Sequence, residues 1–233
     1  MARFDFGRIE ILTFDCYGTL IDWEAGIAAG FRKAFGSRSD RPPDEAVLEA
    51  YARHEARAEK PPYLRYRDVA GRSFAAACRE FGVEPGIHEV RAFGESVGDW
   101  PAFTDSAAAL ARLAGRFRLG VITNCDDDLF ARSEARLGAR FTWVVTAEQV
   151  GSYKPDPRNF WAAIERIGAP TDRILHVAQS LYHDHVPARR LGLATAWIDR
   201  RSGRPGFGAT PPAEATPDLT SHDMATFAEV ALA

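Results

Sequence analysis

Cysteine is scarce in this chain, and the three present are far apart. Cys16, Cys78 and Cys125 form neither a Cys-x-x-Cys pair nor an even-numbered framework. That excludes a disulfide-stapled fold and fits reduced thiols in a cytoplasm. Positive charge is not in excess either. With 29 Lys and Arg against 32 Asp and Glu, the net charge is -3. Such a chain offers no basic field to a nucleic acid or an anionic membrane, so a small-molecule partner is expected. Long hydrophobic runs are missing too. The opening MARFDFGRIEILTFD meets an acid at Asp5 before any long apolar stretch, so neither a signal peptide nor a membrane span is expected. There is no internal repeat. The hydrophobic share of 46% and charged share of 26% argue against disorder. The length suits one large domain, or one domain with a sizeable insertion.

What is present is a repeated alternation. Ile9 to Phe14 is a short β-prone apolar run that stops abruptly at Asp15, followed by turn-forming Gly18. It reads as a buried strand delivering a carboxylate to its C-terminal edge. Similar runs recur at 118–123, 141–145, 174–177 and 194–198, with helical patterns at about 105–115, 127–137, 157–167 and 183–191. Strand and helix in turn from about residue 101 predict an α/β fold built on a doubly wound parallel sheet. The stretch from Trp23 to Gly98 differs, being rich in Ala, Arg and Glu without a convincing strand. Its apolar positions fall on helical faces: Ile27, Phe31, Ala34 and Phe35, then Val47, Leu48, Tyr51 and Ala52, then Val69, Phe74 and Cys78. The expected organisation is a core of 1–20 and 101–233 with a helical cap of 21–100, placed after the first strand as a natural lid.

Four separated segments converge at the carboxyl ends of neighbouring strands: Asp15-Cys16-Tyr17-Gly18-Thr19, Thr123-Asn124, Lys154-Pro155-Asp156, and Ala178-Gln179-Ser180 with Asp184. A carboxylate at a strand end can act as a nucleophile if a cation holds it ionised and aimed. Asp15 and Lys154 suit those roles, Thr19 and Thr123 can orient the carboxylate, and backbone amides after Asp15 can form an oxyanion site. Taken singly, Asp15 is as well read as a helix cap and Lys154 as a surface lysine; the set argues otherwise.

In order and spacing these segments resemble the haloacid dehalogenase superfamily over nearly the whole chain, the helical insertion resembling its cap. The resemblance implies a Rossmann-like core and Asp15 as the nucleophile. Two departures favour the dehalogenase branch over the phosphatases. The second residue beyond the nucleophile is Tyr17, where phosphatases carry an Asp that protonates the leaving alkoxide; a phenol with a pKa of about 10 is a poorer donor, whereas halide needs none. Tyr17 reads equally as core. Where phosphatases have Gly-Asp for magnesium, this chain has Ala178-Gln179, and a carboxamide is a weak ligand for a hard dication. No metal and no cofactor are therefore expected.

The implied reaction is hydrolytic dehalogenation of short 2-haloalkanoic acids to 2-hydroxy acids, through an aspartyl ester on Asp15. Asp184 would activate the water, assisted by Lys154. Substrate and halide would meet Cys16 (through its amide), Tyr17, Asn124, Gln179, Ser180 and a cap arginine. Arg53 in Tyr51-Ala52-Arg53 is the best match for that arginine, with Arg65 and Arg67 competing. His183-Asp184-His185 invites a metal reading, which adjacency on a helix argues against. Asp126-Asp127-Asp128 reads as a helix cap with first-turn acids. The expected partner is a haloacid, without nucleic acid or membrane, and a homodimer is an open option. The alternatives are a magnesium-dependent small-molecule phosphatase and a binding protein on the same fold.

Overall fold

The computed structural model describes residues 4–233. Six parallel strands form one sheet in the order β3-β2-β1-β4-β5-β6. They are β1 (Ile11–Phe14), β2 (Arg118–Thr123), β3 (Trp143–Thr146), β4 (Ile174–Ala178), β5 (Ala194–Ile198) and β6 (Leu219–Ser221). β1 lies at the centre, with Phe14 in register with Val121 of β2 on one side and Val177 of β4 on the other. All four of its residues are buried, which is why this strand reads as a continuous apolar run rather than an alternating one. Strand order reverses between β1 and β4, so the crevice at their carboxyl ends is the place where open α/β sheets bind ligands. Asp15 is the first residue beyond β1.

Four helices fill the segment after β1: α1 (Trp23–Phe35), α2 (Asp44–Ala58), α3 (Tyr66–Glu80) and α4 (Ile87–Ser96). Asp22 starts α1, its Oδ1 accepting from the Ala25 amide at 3.0 Å, as a good cap residue should. The apolar faces foreseen on α1, α2 and α3 meet in one aromatic centre, where Phe74 and Phe93 stack at 4.3 Å between ring centroids. Gly26 lets Trp100 lie against α1, for a Cβ there would sit 2.3 Å from the indole. After α5 (Ser106–Leu113), the remaining helices are α6 (Asp127–Leu137), α7 (Ala147–Val150), α8 (Arg158–Ile167), α9 (Val186–Arg190) and α10 (Met224–Leu232). A second core of Ile11, Ile122, Val145, Phe160 and Ile174 fills the opposite face of the sheet, beneath α8.

Two expectations are corrected. The helix expected over 183–191 is a single π-turn, Leu181–His185, running into the short α9. The wide turn is closed by the His185 amide donating to Ser180 O and capped by Ser180 Oγ, which accepts from the His183 amide at 2.8 Å. Asp126 stands at the cap position of α6 but makes no cap hydrogen bond. Fully buried, it accepts instead from the amides of Tyr66 (2.8 Å) and Arg67 (3.2 Å) at the start of α3. The sequence offers a local use for that carboxylate, and the fold spends it on two amides that α3 cannot satisfy itself. Among the described residues, no helix is long and apolar enough to cross a membrane.

Candidate active site

The loop leaving β1 places Asp15 at the floor of a narrow cleft beneath α2 and α3. Gly18 makes the loop possible: its φ is +94°, and a Cβ would approach the Trp23 indole nitrogen to 3.0 Å, so a side chain is excluded by conformation and by space. Arg200, stacked 4.0 Å over Phe103, donates to Thr19 O through Nε (3.1 Å) and a terminal nitrogen (2.9 Å), holding the loop from behind. Thr19 Oγ1 donates to Asp15 Oδ2 at 2.7 Å and accepts from the Gln179 amide at 2.8 Å. The hydroxyl is thereby fixed with its proton on the carboxylate.

Lys154 is the centre of the charge arrangement. It is buried and uses all three ammonium donors: Asp15 Oδ1 at 2.8 Å, Asp184 Oδ1 at 2.7 Å and Ile122 O at 2.8 Å. Asn124 clamps its backbone, the side-chain oxygen accepting from Lys154 N at 2.7 Å and the amide nitrogen donating to Lys154 O at 3.0 Å. His176, on β4, reaches Asp184 Oδ1 through Nε2 at 3.0 Å and Thr13 through Nδ1 at 3.0 Å. An ionised carboxylate only accepts, so Nε2 carries the proton.

Burial raises the Asp15 pKa above the ordinary carboxylate value, and the nearby Asp184 adds to this while Lys154 opposes it. Burial would raise Asp184 too, but Lys154 and His176 overcome it and hold that group below the usual range. For Lys154, burial disfavours the cation and the two carboxylates outweigh it, so its pKa rises. Both carboxylates thus share one permanent cation. Asp184 Oδ2 and Thr123 Oγ1 are buried in the cleft without hydrogen-bond partners. Among the described residues, the Cys16 and Tyr17 amides likewise donate to no other backbone group. Unpaired polar atoms of this kind are costly unless something binds them.

Asp15, Thr123, Asn124, Lys154, Asp184, Ser180 and the ring of Tyr17 therefore gather at one cleft, with Thr19 behind Asp15. The Cys16 thiol is buried, and burial and Asp15 raise its pKa well above normal. The Tyr17 hydroxyl is turned away to Ser133 Oγ (2.9 Å) and Cys125 Sγ (3.3 Å). The Gln179 carboxamide accepts from Thr210 at 3.0 Å and does not line the cleft; its contribution is the backbone amide on Thr19. Asp15, Gln179 and Asp184 consequently make a poor metal set, and no group of three or more His, Cys, Asp or Glu side chains among the described residues is placed to hold an ion. His183, Asp184 and His185 go to three different partners.

The cap arginine is the clearest correction. Arg53 lies on the outer face of α2, paired with Glu80 at 2.6 Å. Arg65 and Arg67 are bound by Asp126, Asp128, Glu148 and Glu95, away from the cleft. Instead Glu55 of α2 and Glu59, the residue just beyond its C-terminus, face the cleft beside Tyr66 and Trp23. The signal was available: Tyr51, Glu55 and Glu59 recur at four-residue spacing, so the buried stripe of α2 continues into two acids. His176 went unnoticed because a histidine inside a strand run reads as core. Arg200 was hidden because only tertiary folding brings it to the loop after β1.

The chain belongs to the haloacid dehalogenase-like hydrolase family, whose model matches residues 9–184. The particular relatives span two chemistries. Over 222 residues, 88% of this chain and 93% of the relative, it is 28% identical to (S)-2-haloacid dehalogenase H-109 of Pseudomonas putida. Over 165 residues, 65% of this chain and 72% of the relative, it is 28% identical to the pyrimidine 5'-nucleotidase YjjG of Escherichia coli. The solved L-2-haloacid dehalogenase of Xanthobacter autotrophicus superposes with a TM-score of 0.79 at 19% identity, covering 95% of this chain and 98% of that one; at that identity the likeness speaks for the fold.

Proposed function

We propose that this chain is a hydrolytic dehalogenase, cleaving the carbon–halogen bond of short organic halides with Asp15 as nucleophile. The reference reaction is that of the relatives, 2-haloalkanoic acid to 2-hydroxy acid. The observation that favours halide over phosphate ester is the side chain two residues beyond Asp15. The Tyr17 phenol is engaged with Ser133 and Cys125, and burial pushes its pKa well above the ordinary phenol value. No acid at that position is thus available to an alkoxide, whereas a halide departs without a proton.

The chemistry then runs in two steps. An oxygen of the Asp15 carboxylate attacks the halogen-bearing carbon in line; a carbon–oxygen bond forms, the carbon–halogen bond breaks, and halide leaves with the electron pair. Water next attacks the Asp15 acyl carbon while the free Asp184 Oδ2 takes one of its protons; the acyl carbon–alkoxide bond breaks, the proton passes from Asp184 to the departing oxygen to release the alcohol, and the remaining proton is lost to solvent as the Asp15 carboxylate re-forms. Lys154 stabilises negative charge on Asp15 at both stages, and the free Cys16 and Tyr17 amides are suited to the acyl oxyanion. Since Asp184 is a weakened base, it serves the water only as attack makes that water acidic.

The test is halide release from chloroacetate and the 2-chloropropionate enantiomers, with and without chelator, beside p-nitrophenyl phosphate with magnesium. Chelator-insensitive halide release, abolished in Asp15→Asn, is the expected result. Magnesium-dependent phosphate release without halide release would favour the phosphatase reading.

A further inference from the structure

The cleft holds two carboxyls that the two-step reaction does not use. Glu55 is 2% exposed and accepts from the Tyr66 hydroxyl at 2.7 Å. Glu59, with a side chain 8% exposed, accepts from the Asn124 amide through Oε1 at 3.1 Å. Its Oε2 has no hydrogen-bond partner among the described residues, and the nearest basic nitrogen is His183 Nε2 at 3.9 Å. Burial holds His183 neutral, its pKa lowered to about 4. Among the described residues no other cation pairs with Glu59. Lys154 has spent its three donors on Asp15, Asp184 and Ile122, and no arginine among the described residues lines the cleft.

Buried carboxyls without a cation are an incomplete arrangement, because neither burial nor one amide compensates the lost hydration of the charge. Their response agrees with this: burial raises Glu55 to about 7 and, with Glu55 adjacent, raises Glu59 well above its ordinary value. The walls beside them are aromatic, formed by Trp23, Tyr66 and the ring of Tyr17, with Tyr17 and Tyr66 at 6.5 Å between centroids. An aromatic wall together with buried acids that ionise only when a cation compensates them suits an organic cation. A substrate carboxylate entering here would meet Glu55 and Glu59, and the ammonium in the described lining, Lys154, is already shared by Asp15 and Asp184.

We propose that Glu55, Glu59, Trp23 and Tyr66 form a subsite for an alkylammonium group, so that the preferred substrates are short halides carrying a basic nitrogen rather than a carboxylate. The proposal rests on the reading of Asp15 as nucleophile toward carbon–halogen bonds and concerns only the other end of the substrate. The ammonium would sit against Glu59 Oε2 and the ring faces while the halogen-bearing carbon lies over Asp15.

A matched series separates charge from reactivity: 3-chloropropylammonium, 3-chloropropanol and 3-chloropropionate, with 2-chloropropionate as the reference halide. Chloride release is measured against Asp15→Asn as the blank, and propylammonium and propionate binding are measured by calorimetry on the full chain. The expected order of kcat/KM is ammonium over alcohol over carboxylate, by at least tenfold at each step. Propylammonium should bind more tightly than propionate, and Glu59→Gln should weaken it at least tenfold; Glu55→Gln serves if that variant does not fold. Propionate binding as tightly as propylammonium, or propylammonium affinity unchanged in the glutamine variant, would overturn the subsite. Propylammonium binding with no chloride released from any of the four halides would instead remove the dehalogenase reading and leave the subsite standing.

Discussion

At the scale of single residues, Lys154 carries most of the argument. An ammonium buried between two carboxylates is favourable only while the set is complete. Lys154→Met should end turnover and lower stability by about 3–5 kcal/mol, because Asp15 and Asp184 are left buried without a cation; a urea midpoint equal to that of the parent would contradict this. Tyr17 makes the opposite case. Since its hydroxyl faces Ser133 and Cys125, Tyr17→Phe should keep kcat within a few-fold and cost about 1 kcal/mol of stability. A hundredfold loss in kcat would mean that the phenol takes part in the reaction. The places of Asp15, Thr19, Thr123 and Asp184 were legible in the sequence because each ends a strand or lies in the segment after one, and strand ends are visible in apolar runs; Lys154 lies beyond the short α7, and Thr123 reaches the cleft without the hydrogen bond to Asp15 that was expected of it. Arg53 was misread because Tyr51-Ala52-Arg53 says nothing about which face of α2 turns inward, and the buried stripe leaves Arg53 outside.

Among the elements, α2, α3 and the π-turn decide what the cleft can take. The starts of α3 and α6 are tied together by Asp126, which satisfies two α3 amides and the Arg67 Nε at 2.9 Å. Asp126→Ala should destabilise the chain by about 2–4 kcal/mol, since buried donors lose their acceptor. It should also raise KM more than it lowers kcat, because the α3 wall of the cleft loosens while Asp15 and Lys154 stay in place. A variant as stable as the parent, or one losing kcat alone, would count against that role. The elements themselves were legible where apolar runs are continuous, as in β1 and β2, or where helical periodicity is strong, as in α6 and α8. The π-turn was not, because Leu181 to His185 has the composition of an ordinary helix and its width is set by tertiary demands on Asp184.

For the molecule as a whole, buried ionisable groups link stability to pH in two opposite senses. Asp184 has a depressed pKa in the folded chain, so its contribution is present above the unfolded value of about 4 and lost as pH falls below it. Glu55 is raised to about 7. Its contribution is full below the unfolded value and disappears as pH rises through 7, because the unfolded chain gives up that proton first. Between pH 5 and 7 the folding free energy should therefore decline, and Glu55→Gln should flatten the decline; an equally steep profile in the variant would show that Glu55 is not its source. The layered α/β plan was readable from the alternation of strand and helix. The acidic, aromatic lining of the cleft was not, because it exists only once α2 and α3 are laid over the end of β1.

The central claim is that Asp15 itself becomes esterified, and a single turnover in water enriched in heavy oxygen tests it most directly. With enzyme in excess over a halogenated substrate, the peptide carrying Asp15 should gain one heavy oxygen while the first alcohol released carries ordinary oxygen. Heavy oxygen in the alcohol and none in that peptide would mean that water attacks the halogenated carbon directly, and the nucleophile assignment would fall.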